Sequence, residues 1–237
     1  TARPIITGSS GEIPLRKIEI VLTHDDNLGN KLDNNRKEIL VNAILHTANT
    51  SYKEVEWSIV NASGIPINNA KVEANGLEAK IIAMADGEFY LRCTSSNGTD
   101  KTKLISHLEF TATGIGTFYK NPYEFISGGL YDYGKGDIGN GNEKGIASMY
   151  DGETIIGYQN IDFGSYGSDK ITIPIFTYND EAYPIQIWEG IPGDEGSALV
   201  TEVVYQKPSI WNVYQEDTYI LPRRLKGLTS ISFVVQN

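Results

Sequence analysis

The segment GEFYLRC (residues 87–93) carries the pattern that decides the fold. Phe89, Leu91 and Cys93 occupy every second position, so in an extended strand they face one side while the residues between them face the other. The same alternation occurs in EVEWSIV (residues 54–60) and SISFVVQ (residues 230–236). Few windows keep the i, i+3, i+4, i+7 spacing of apolar residues that a helix requires. The sequence therefore predicts an all-β protein.

Cys93 is the single cysteine of the chain. A lone cysteine excludes an internal disulfide and any cluster of cysteines around a metal. Its position on the apolar side of the strand predicts a buried, unreactive thiol that packs as a small apolar side chain. No histidine lies near it in the sequence, so a catalytic cysteine is not expected.

The net charge limits the classes of partner that this chain is expected to bind. The 237 residues include 20 Lys and Arg against 30 Asp and Glu, which gives a formal charge of −10. Nucleic acids and anionic membrane surfaces attract basic proteins, so neither is expected as a partner. No apolar run approaches the roughly 20 residues of a membrane helix, and membrane insertion is not expected. The opening TARPIITGSSGEIP is typical of a segment inside a longer protein.

The chain divides into two halves near Gly116, in the segment TATGIGTF (residues 111–118). Residues 1–14 are predicted to form a linker. Residues 15–115 contain short strand candidates separated by turn sequences such as NASG, EANG and ADG. About seven strands in roughly 100 residues is typical of an immunoglobulin-like sandwich. Trp57, flanked by Val55 and Ile59 on the same face, is interpreted as a core tryptophan of this domain.

The second half, residues 116–237, has more aromatic residues and longer loops than the first. Its strand candidates include TIIGYQNIDF, DKITIPIF, YPIQIWEG and ALVTEVVYQ. Eight or so strands in about 120 residues predict a jelly roll or a similar two-sheet sandwich. The predicted fold class is therefore all-β, with an immunoglobulin-like β-sandwich followed by a jelly-roll β-sandwich.

The sequence lacks the usual motifs of catalysis. No histidine follows His107 and no G-x-S-x-G segment occurs, which argues against serine–histidine chemistry. A glycosidase needs two carboxyl groups about 5–9 Å apart in a pocket, usually on a scaffold larger than either half. The segment GKGDIG (residues 134–139) matches G-x-G-x-x-G but is not followed by a helical sequence, so it does not predict nucleotide binding. We therefore expect no catalysis by this chain itself.

Sugar binding suits the second half better, because pyranose rings pack their C–H faces on Tyr or Trp. In YPIQIWEG (residues 183–190), Ile185 and Ile187 share one face and Trp188 the other. If the isoleucines are buried, Trp188 points outward, either as a ligand platform or packed under a loop or neighbouring domain. Trp211 and Tyr214 in SIWNVYQEDTY (residues 209–219) are further candidates, although their mixed surroundings favour core packing.

Calcium is a second kind of ligand to consider. The loop at residues 128–145 is rich in side chains with oxygen atoms, but Gly139 breaks the spacing of an EF-hand loop. Solvated turn residues are the favoured interpretation. The oxygen-bearing side chains of this loop are those of Asp132, Asp137, Asn140, Asn142 and Glu143.

Four segments together resemble the C-terminal, non-catalytic part of large bacterial β-galactosidases of glycoside hydrolase family 2. In chain order they are ILVNAILHTANTSYKEVEWSIVN (residues 39–61), ADGEFYLRCTSSNG (residues 85–98), GLYDYGKGDIGNGNEKGIASMYDGETIIGYQNIDFG (residues 129–164) and YQKPSIWNVYQEDTYILPRRLKG (residues 205–227). The resemblance implies an immunoglobulin-like or invasin-like domain followed by a module similar to family 6 carbohydrate-binding modules.

The resemblance also implies site residues. In family 6 modules one cleft aromatic precedes a G-(D/E)-x-x-x-Y segment, which GETIIGY (residues 152–158) matches with one extra residue, so Tyr150 is the candidate. The second platform tryptophan matches Trp211. A structural calcium of the family uses an acid near the first strand, for which Glu124 is the match. No other cofactor is implied.

The function expected from this resemblance is that of an accessory region of a secreted or cell-surface bacterial β-galactosidase. Its catalytic glutamates lie in an upstream domain of the same polypeptide. The accessory region holds that domain and docks galactose-containing carbohydrate on Trp211, Trp188 and Tyr150. The alternative is a purely structural pair of domains that pack on the enzyme or mediate dimerisation and bind no sugar. A fragment of an adhesin is the third possibility.

Overall fold

A computed structural model describes residues 11–23, 29–97, 103–142, 145–148 and 152–236. These residues form β-strands and one short 3-10 helix, Gly128–Leu130, and they include no α-helix. The prediction of an all-β protein is therefore confirmed. The chain forms two compact units, Thr1–Phe118 and Tyr119–Asn237, and each is described by itself.

The first unit contains two four-stranded sheets. One has the strand order β1-β3-β6-β5 and the other β2-β8-β7-β4. All pairs are antiparallel except that of β2 with β8. This is the arrangement of immunoglobulin-like sandwiches, with one short strand added to the second sheet, and it confirms the predicted architecture. The strands are β1 Lys17–Leu22, β2 Lys31–Asp33, β3 Glu38–His46, β4 Glu56–Val60, β5 Ala70–Asn75, β6 Glu78–Ala83, β7 Gly87–Ser96 and β8 Lys103–Thr113.

The core of the first unit lies on the apolar face of β7, which every second residue of the strand forms. Phe89, Leu91 and Cys93 are fully buried, and Phe89 stacks on Phe110 of β8 with ring centroids 5.6 Å apart. Trp57 of β4 is half-buried against this core, and its indole N–H donates to the carbonyl oxygen of Gly76 at 3.0 Å. A tryptophan with its ring packed and its N–H bonded is a structural residue. Trp57 thus packs against the core, as the sequence predicts, but it is half-buried and not enclosed by the core.

The thiol of Cys93 is expected to be unreactive in the folded protein. Its side chain is fully buried, and burial raises the pKa of its thiol to about 12. Because the thiolate is the reactive form, we expect a disulfide reagent at pH 8 to modify Cys93 no faster than the first unit unfolds. The measurement is the labelling rate in native buffer and in rising urea. A native rate close to that of a free thiol would contradict the burial of Cys93.

The second unit is also a β-sandwich. A five-stranded sheet has the order β15-β14-β17-β12-β9, and two-stranded sheets are formed by β13 with β16 and by β10 with β11. Every strand pair is antiparallel. The strands are β9 Tyr133–Lys135, β10 Ile138–Asn140, β11 Ile146–Ser148, β12 Glu153–Asp162, β13 Ser168–Ile175, β14 Tyr183–Glu189, β15 Ala198–Tyr205, β16 Gln215–Leu225 and β17 Leu228–Gln236.

The core of the second unit lies between the five-stranded sheet and the β13–β16 pair. Ile156, Ile187 and Ile231 from the large sheet pack with Leu221 and Leu225 of β16. The last strand, β17, lies at the centre of the large sheet, between β14 and β12. Two layers around one apolar core match the sandwich that the strand rhythm of this half predicts.

An ion pair between a buried lysine and an exposed aspartate lies near the beginning of the second unit. Lys120 is only 9% exposed, and its ammonium group donates to Asp132 Oδ2 at 2.7 Å and to the carbonyl oxygen of Gln159 at 3.1 Å. Asp132 Oδ2 also accepts the backbone N–H of Gln159 at 2.7 Å. Beside it, burial raises the pKa of Tyr158, whose hydroxyl donates to the Gly128 carbonyl at 2.9 Å. Asp132, considered from the sequence as a calcium ligand or a solvated turn residue, is solvent-exposed and balances the charge of the buried Lys120.

Candidate functional site

Two loops meet at one end of the second unit. Residues 176–182 connect β13 to β14, and residues 206–214 connect β15 to β16. Ile175 pairs with Gln215, and Tyr183 pairs with Tyr205. Because all four strand ends lie at this end of the sandwich, the two loops run side by side.

The two loops carry an aromatic platform, formed by Phe176, Tyr178, Trp211 and Tyr214. Trp211 is 76% exposed and Tyr178 is 75% exposed, with ring centroids 5.9 Å apart and planes tilted by 46°. Phe176 contacts both rings through edge-to-face packing, at 5.9 Å from Trp211 and 5.2 Å from Tyr178. Tyr214 also packs on the Phe176 ring, with the two centroids 6.2 Å apart. Phe176 therefore supports two exposed rings that the fold itself does not cover.

Hydrogen bonds join the two loops under the aromatic platform. Asp180 Oδ1 accepts the backbone N–H of Ser209 at 2.6 Å, and the Ser209 hydroxyl donates to the carbonyl oxygen of Thr177 at 2.5 Å. Within the loop of Trp211, the side-chain amide of Gln215 donates to the Pro208 carbonyl at 2.7 Å. The two bonds of Ser209 fix the loop of Tyr178 to the loop of Trp211, so the spacing of the two exposed rings is set before any ligand arrives.

A third loop borders the aromatic platform on its polar side. The Tyr214 hydroxyl donates to the carbonyl oxygen of Asn142, which follows β10, at 2.9 Å. The side-chain amide of Asn142 donates in turn to Asn212 Oδ1. Asn212 has φ of +58°, a left-handed conformation that asparagine tolerates better than most residues. The platform thus combines apolar ring faces with side-chain amides, which are the contacts that a carbohydrate requires.

The arrangement offers a ligand apolar ring faces and hydrogen-bonding groups. The carboxylate of Asp180 accepts the Ser209 N–H. Of the residues predicted from the sequence, Trp211 and Tyr214 come together here. Phe176 and Tyr178 were missed. Their position in IFTYND, two aromatics at alternate positions at the end of a strand and before turn residues, is the signal that indicates them.

Trp188 lies elsewhere on the second unit. Ile185 and Ile187 are buried, and Trp188 lies half-buried on the outer face of β14, as the alternation predicts. Its indole N–H donates to Gln186 Oε1 at 3.0 Å, and the Gln186 amide donates to Glu202 Oε2 at 3.3 Å. Trp188 is five residues from the start of the strand, roughly 16 Å along it. The structure does not bring it to the aromatic platform.

Tyr150 and Glu124 are the other site residues predicted from the sequence, and the structure tests neither prediction. Tyr150 falls outside the described residues. Glu124 is exposed, and its backbone N–H donates to the carbonyl oxygen of Asn121 at 3.3 Å. In the part of the chain that the structure describes, no three His, Cys, Asp or Glu side chains are grouped to hold a metal ion. Calcium at Glu124 stays a prediction.

The chain matches no protein-family model and no curated protein. Several solved structures resemble it weakly. One is a glycoside hydrolase family 43 arabinoxylan arabinofuranohydrolase from Bacillus subtilis in complex with cellotetraose, with TM-score 0.39 and 13% identity over 85% of this chain and 44% of that one. Another holds CBM51-2 in complex with GlcNAc and INT domains from Clostridium perfringens ZmpB. Its TM-score is 0.24, with 8% identity over 93% of this chain and 44% of that one.

A third is the secreted serine protease VesC from Vibrio cholerae, with TM-score 0.22 and 11% identity over 84% of this chain and 42% of that one. The chain spans less than half the length of each of these three structures. At these TM-scores the similarity assigns neither a family nor an activity. No helix among the described residues is long and apolar enough to cross a membrane.

Proposed function

We propose that this chain is a non-catalytic, carbohydrate-associated region whose second unit binds a saccharide on the aromatic platform. The observation that carries the proposal is the pair Trp211 and Tyr178, both about three-quarters exposed on loops that hydrogen bonds hold in place. Large exposed aromatic surfaces on a fixed scaffold are typical of binding sites. Aromatic rings with polar amides at their margin suit sugars, which present an apolar C–H face and a rim of hydroxyls.

A more specific proposal follows from the resemblance of four segments of this chain to the C-terminal part of family 2 β-galactosidases. The ligand is a galactose-containing glycan, and the parent protein is a bacterial β-galactosidase of the extracellular space or cell surface. Its catalytic domain lies upstream in the same polypeptide, and the two β-sandwiches position it at the substrate. A structural calcium ion near Glu124 is part of the same proposal.

A second candidate function is a protein interface with no sugar binding. Ile210 and Val213 are also exposed, at 52% and 42%, on either side of Trp211 and Asn212 in the same loop. These aliphatic side chains enlarge the apolar surface beyond what one sugar ring covers, and tryptophan is a frequent anchor of protein interfaces. In this case the aromatic platform packs on the parent enzyme or on a second copy of the chain.

Calorimetric titration separates the two functions. The ligands are galactose, lactose and β-linked galacto-oligosaccharides, each with calcium and with EDTA. We expect saturable heat that Trp211→Ala weakens at least about 30-fold, because the substitution removes the ring on which the sugar stacks. Tyr166→Ala is the matched control, since Tyr166 is 75% exposed and lies in another loop of the second unit.

The outcomes are distinct. Binding that Trp211→Ala leaves unchanged would contradict the aromatic platform as the sugar site. No heat from any sugar, with both variants folded by circular dichroism, would contradict carbohydrate binding. A concentration-dependent dimer that Trp211→Ala dissociates in sedimentation experiments would then support the interface.

A further inference from the structure

We infer that Tyr178 forms a second sugar subsite beside Trp211, so that the aromatic platform takes two or more consecutive units of an oligosaccharide rather than a single terminal sugar. The inference rests on the proposed function and specifies its ligand class. It concerns a residue that no sequence motif singled out.

The spacing of the rings is the first observation. The Trp211 and Tyr178 centroids are 5.9 Å apart and their planes differ by 46°. A pyranose ring has about the footprint of one six-membered aromatic ring, so a sugar stacked on Trp211 leaves the face of Tyr178 uncovered. The next unit of a chain is the group that covers it. Because both rings are about three-quarters exposed, neither is withdrawn into the fold.

The second observation is that Tyr178 is held in place. The Thr177 hydroxyl donates to the carbonyl oxygen of Asn179 at 2.9 Å. Asn179 Oδ1 accepts both the Tyr183 hydroxyl at 2.8 Å and the Glu181 N–H at 3.0 Å. With Phe176 packed against the Tyr178 ring, the loop on both sides of Tyr178 is fixed. A ring that is already ordered costs little conformational entropy when a ligand binds.

The third observation concerns polar groups. Among the described residues, neither the Tyr178 hydroxyl nor the Trp211 indole N–H has a hydrogen-bond partner. A phenol donates and accepts hydrogen bonds, and an indole N–H donates. Each ring therefore offers a polar atom beside its apolar face, which matches the mixed surface of one sugar unit.

Tyr166 shows what an exposed tyrosine without this role looks like. It is also 75% exposed, but the guanidinium of Arg224 lies over its ring, 4.1 Å from the centroid. Arg224 lies 3.8 Å from the carboxylate of Asp169. One face of Tyr166 is thus occupied by a cation–π contact within the fold. The two tyrosines have equal exposure and different neighbours, which makes Tyr166 the matched control for Tyr178.

The test measures affinity against chain length, with galactose, β-1,4-galactobiose and β-1,4-galactotriose as probes. We expect the unmodified chain to bind galactobiose about tenfold more tightly than galactose, which is the gain expected from one further stacked ring. Tyr178→Ala should remove this gain and leave the galactose affinity within about twofold. Tyr178→Phe keeps the ring and should retain most of the gain. Tyr166→Ala should behave as the unmodified chain.

Three results would overturn the inference. Equal affinities for galactose and galactobiose, or a gain that survives in Tyr178→Ala, would show that Tyr178 is no subsite, while the proposed function would stand. Loss of galactose binding in a folded Tyr178→Ala variant would place both rings around one sugar. Failure of all three probes to bind the unmodified chain would overturn the inference together with the proposed binding of galactose-containing glycans.

Discussion

Replacing Phe89 with alanine is expected to destabilise the first unit by about 4 kcal/mol. Phe89 is fully buried on β7, and its ring stacks on the fully buried Phe110, which is its partner in the β7–β8 register. Removing the ring forfeits the transfer free energy of a large apolar side chain. It also leaves a cavity that the stacked neighbour and the two facing sheets cannot fill.

The chain has two units, so a single unfolding midpoint does not describe it. Hydrogen exchange followed by mass spectrometry reports each unit separately. Peptides from β3 and β6 should lose protection in Phe89→Ala, while peptides from β12 and β17 serve as an internal reference. Ile105→Ala is the control variant. Ile105 is 46% exposed on β8, so its loss should cost less than about 1 kcal/mol. A Phe89→Ala cost as small as that of Ile105→Ala would contradict the packing described here.

The second large effect is expected at the ion pair of the second unit, in which the lysine is buried. Asp132→Ala should destabilise this unit by about 3 kcal/mol. The substitution leaves the ammonium of Lys120 in a site that is 9% exposed, with no carboxylate to balance it. It also removes the acceptor of the Gln159 backbone N–H. A buried charge without a partner costs several kcal/mol.

Lys120→Met is the matched control, because it removes the buried charge instead of stranding it. The Asp132 side chain is 33% exposed, so its carboxylate keeps contact with water when the lysine is gone. We expect Lys120→Met to cost less than Asp132→Ala, and the double substitution to cost less than the sum of the two. Loss of protection in β12 peptides is the measurement. The opposite order of the two single variants would show that the carboxylate, not the ammonium, is the costly group.

Only part of the aromatic platform can be predicted from the sequence. The segment SIWNVYQEDTY made Trp211 and Tyr214 candidates, although their mixed surroundings favoured core packing, and the structure instead leaves Trp211 exposed in a loop. Tyr178 lies more than 30 positions earlier in the chain. It joins Trp211 because Ile175 pairs with Gln215 across the β13–β16 register and Ser209 bonds to the loop of Tyr178. The identity of a platform ring is local information, whereas its partner depends on strand pairing.

Trp188 also separates what the local sequence predicts from what strand pairing decides. The alternation of Ile185 and Ile187 correctly predicted that Trp188 lies on the outer face of its strand. Alternation could not predict that Gln186, which accepts the indole N–H, donates in turn to Glu202, because Glu202 belongs to the neighbouring strand. It also could not predict that the loop of Trp211 begins at the other end of this strand, where Tyr183 pairs with Tyr205.

The sequence by itself determined the all-β class, the immunoglobulin-like architecture of the first unit and the burial of Phe89, Leu91 and Cys93. These follow from the two-residue period of side chains in a strand and from the turn residues between strands, both of which are local. Only the tertiary structure decided that Lys120 meets Asp132 and that Tyr178 stands beside Trp211. The physical reason is that such contacts depend on the registers of paired strands, which bring together residues distant in the chain and are fixed by the packing of a whole core.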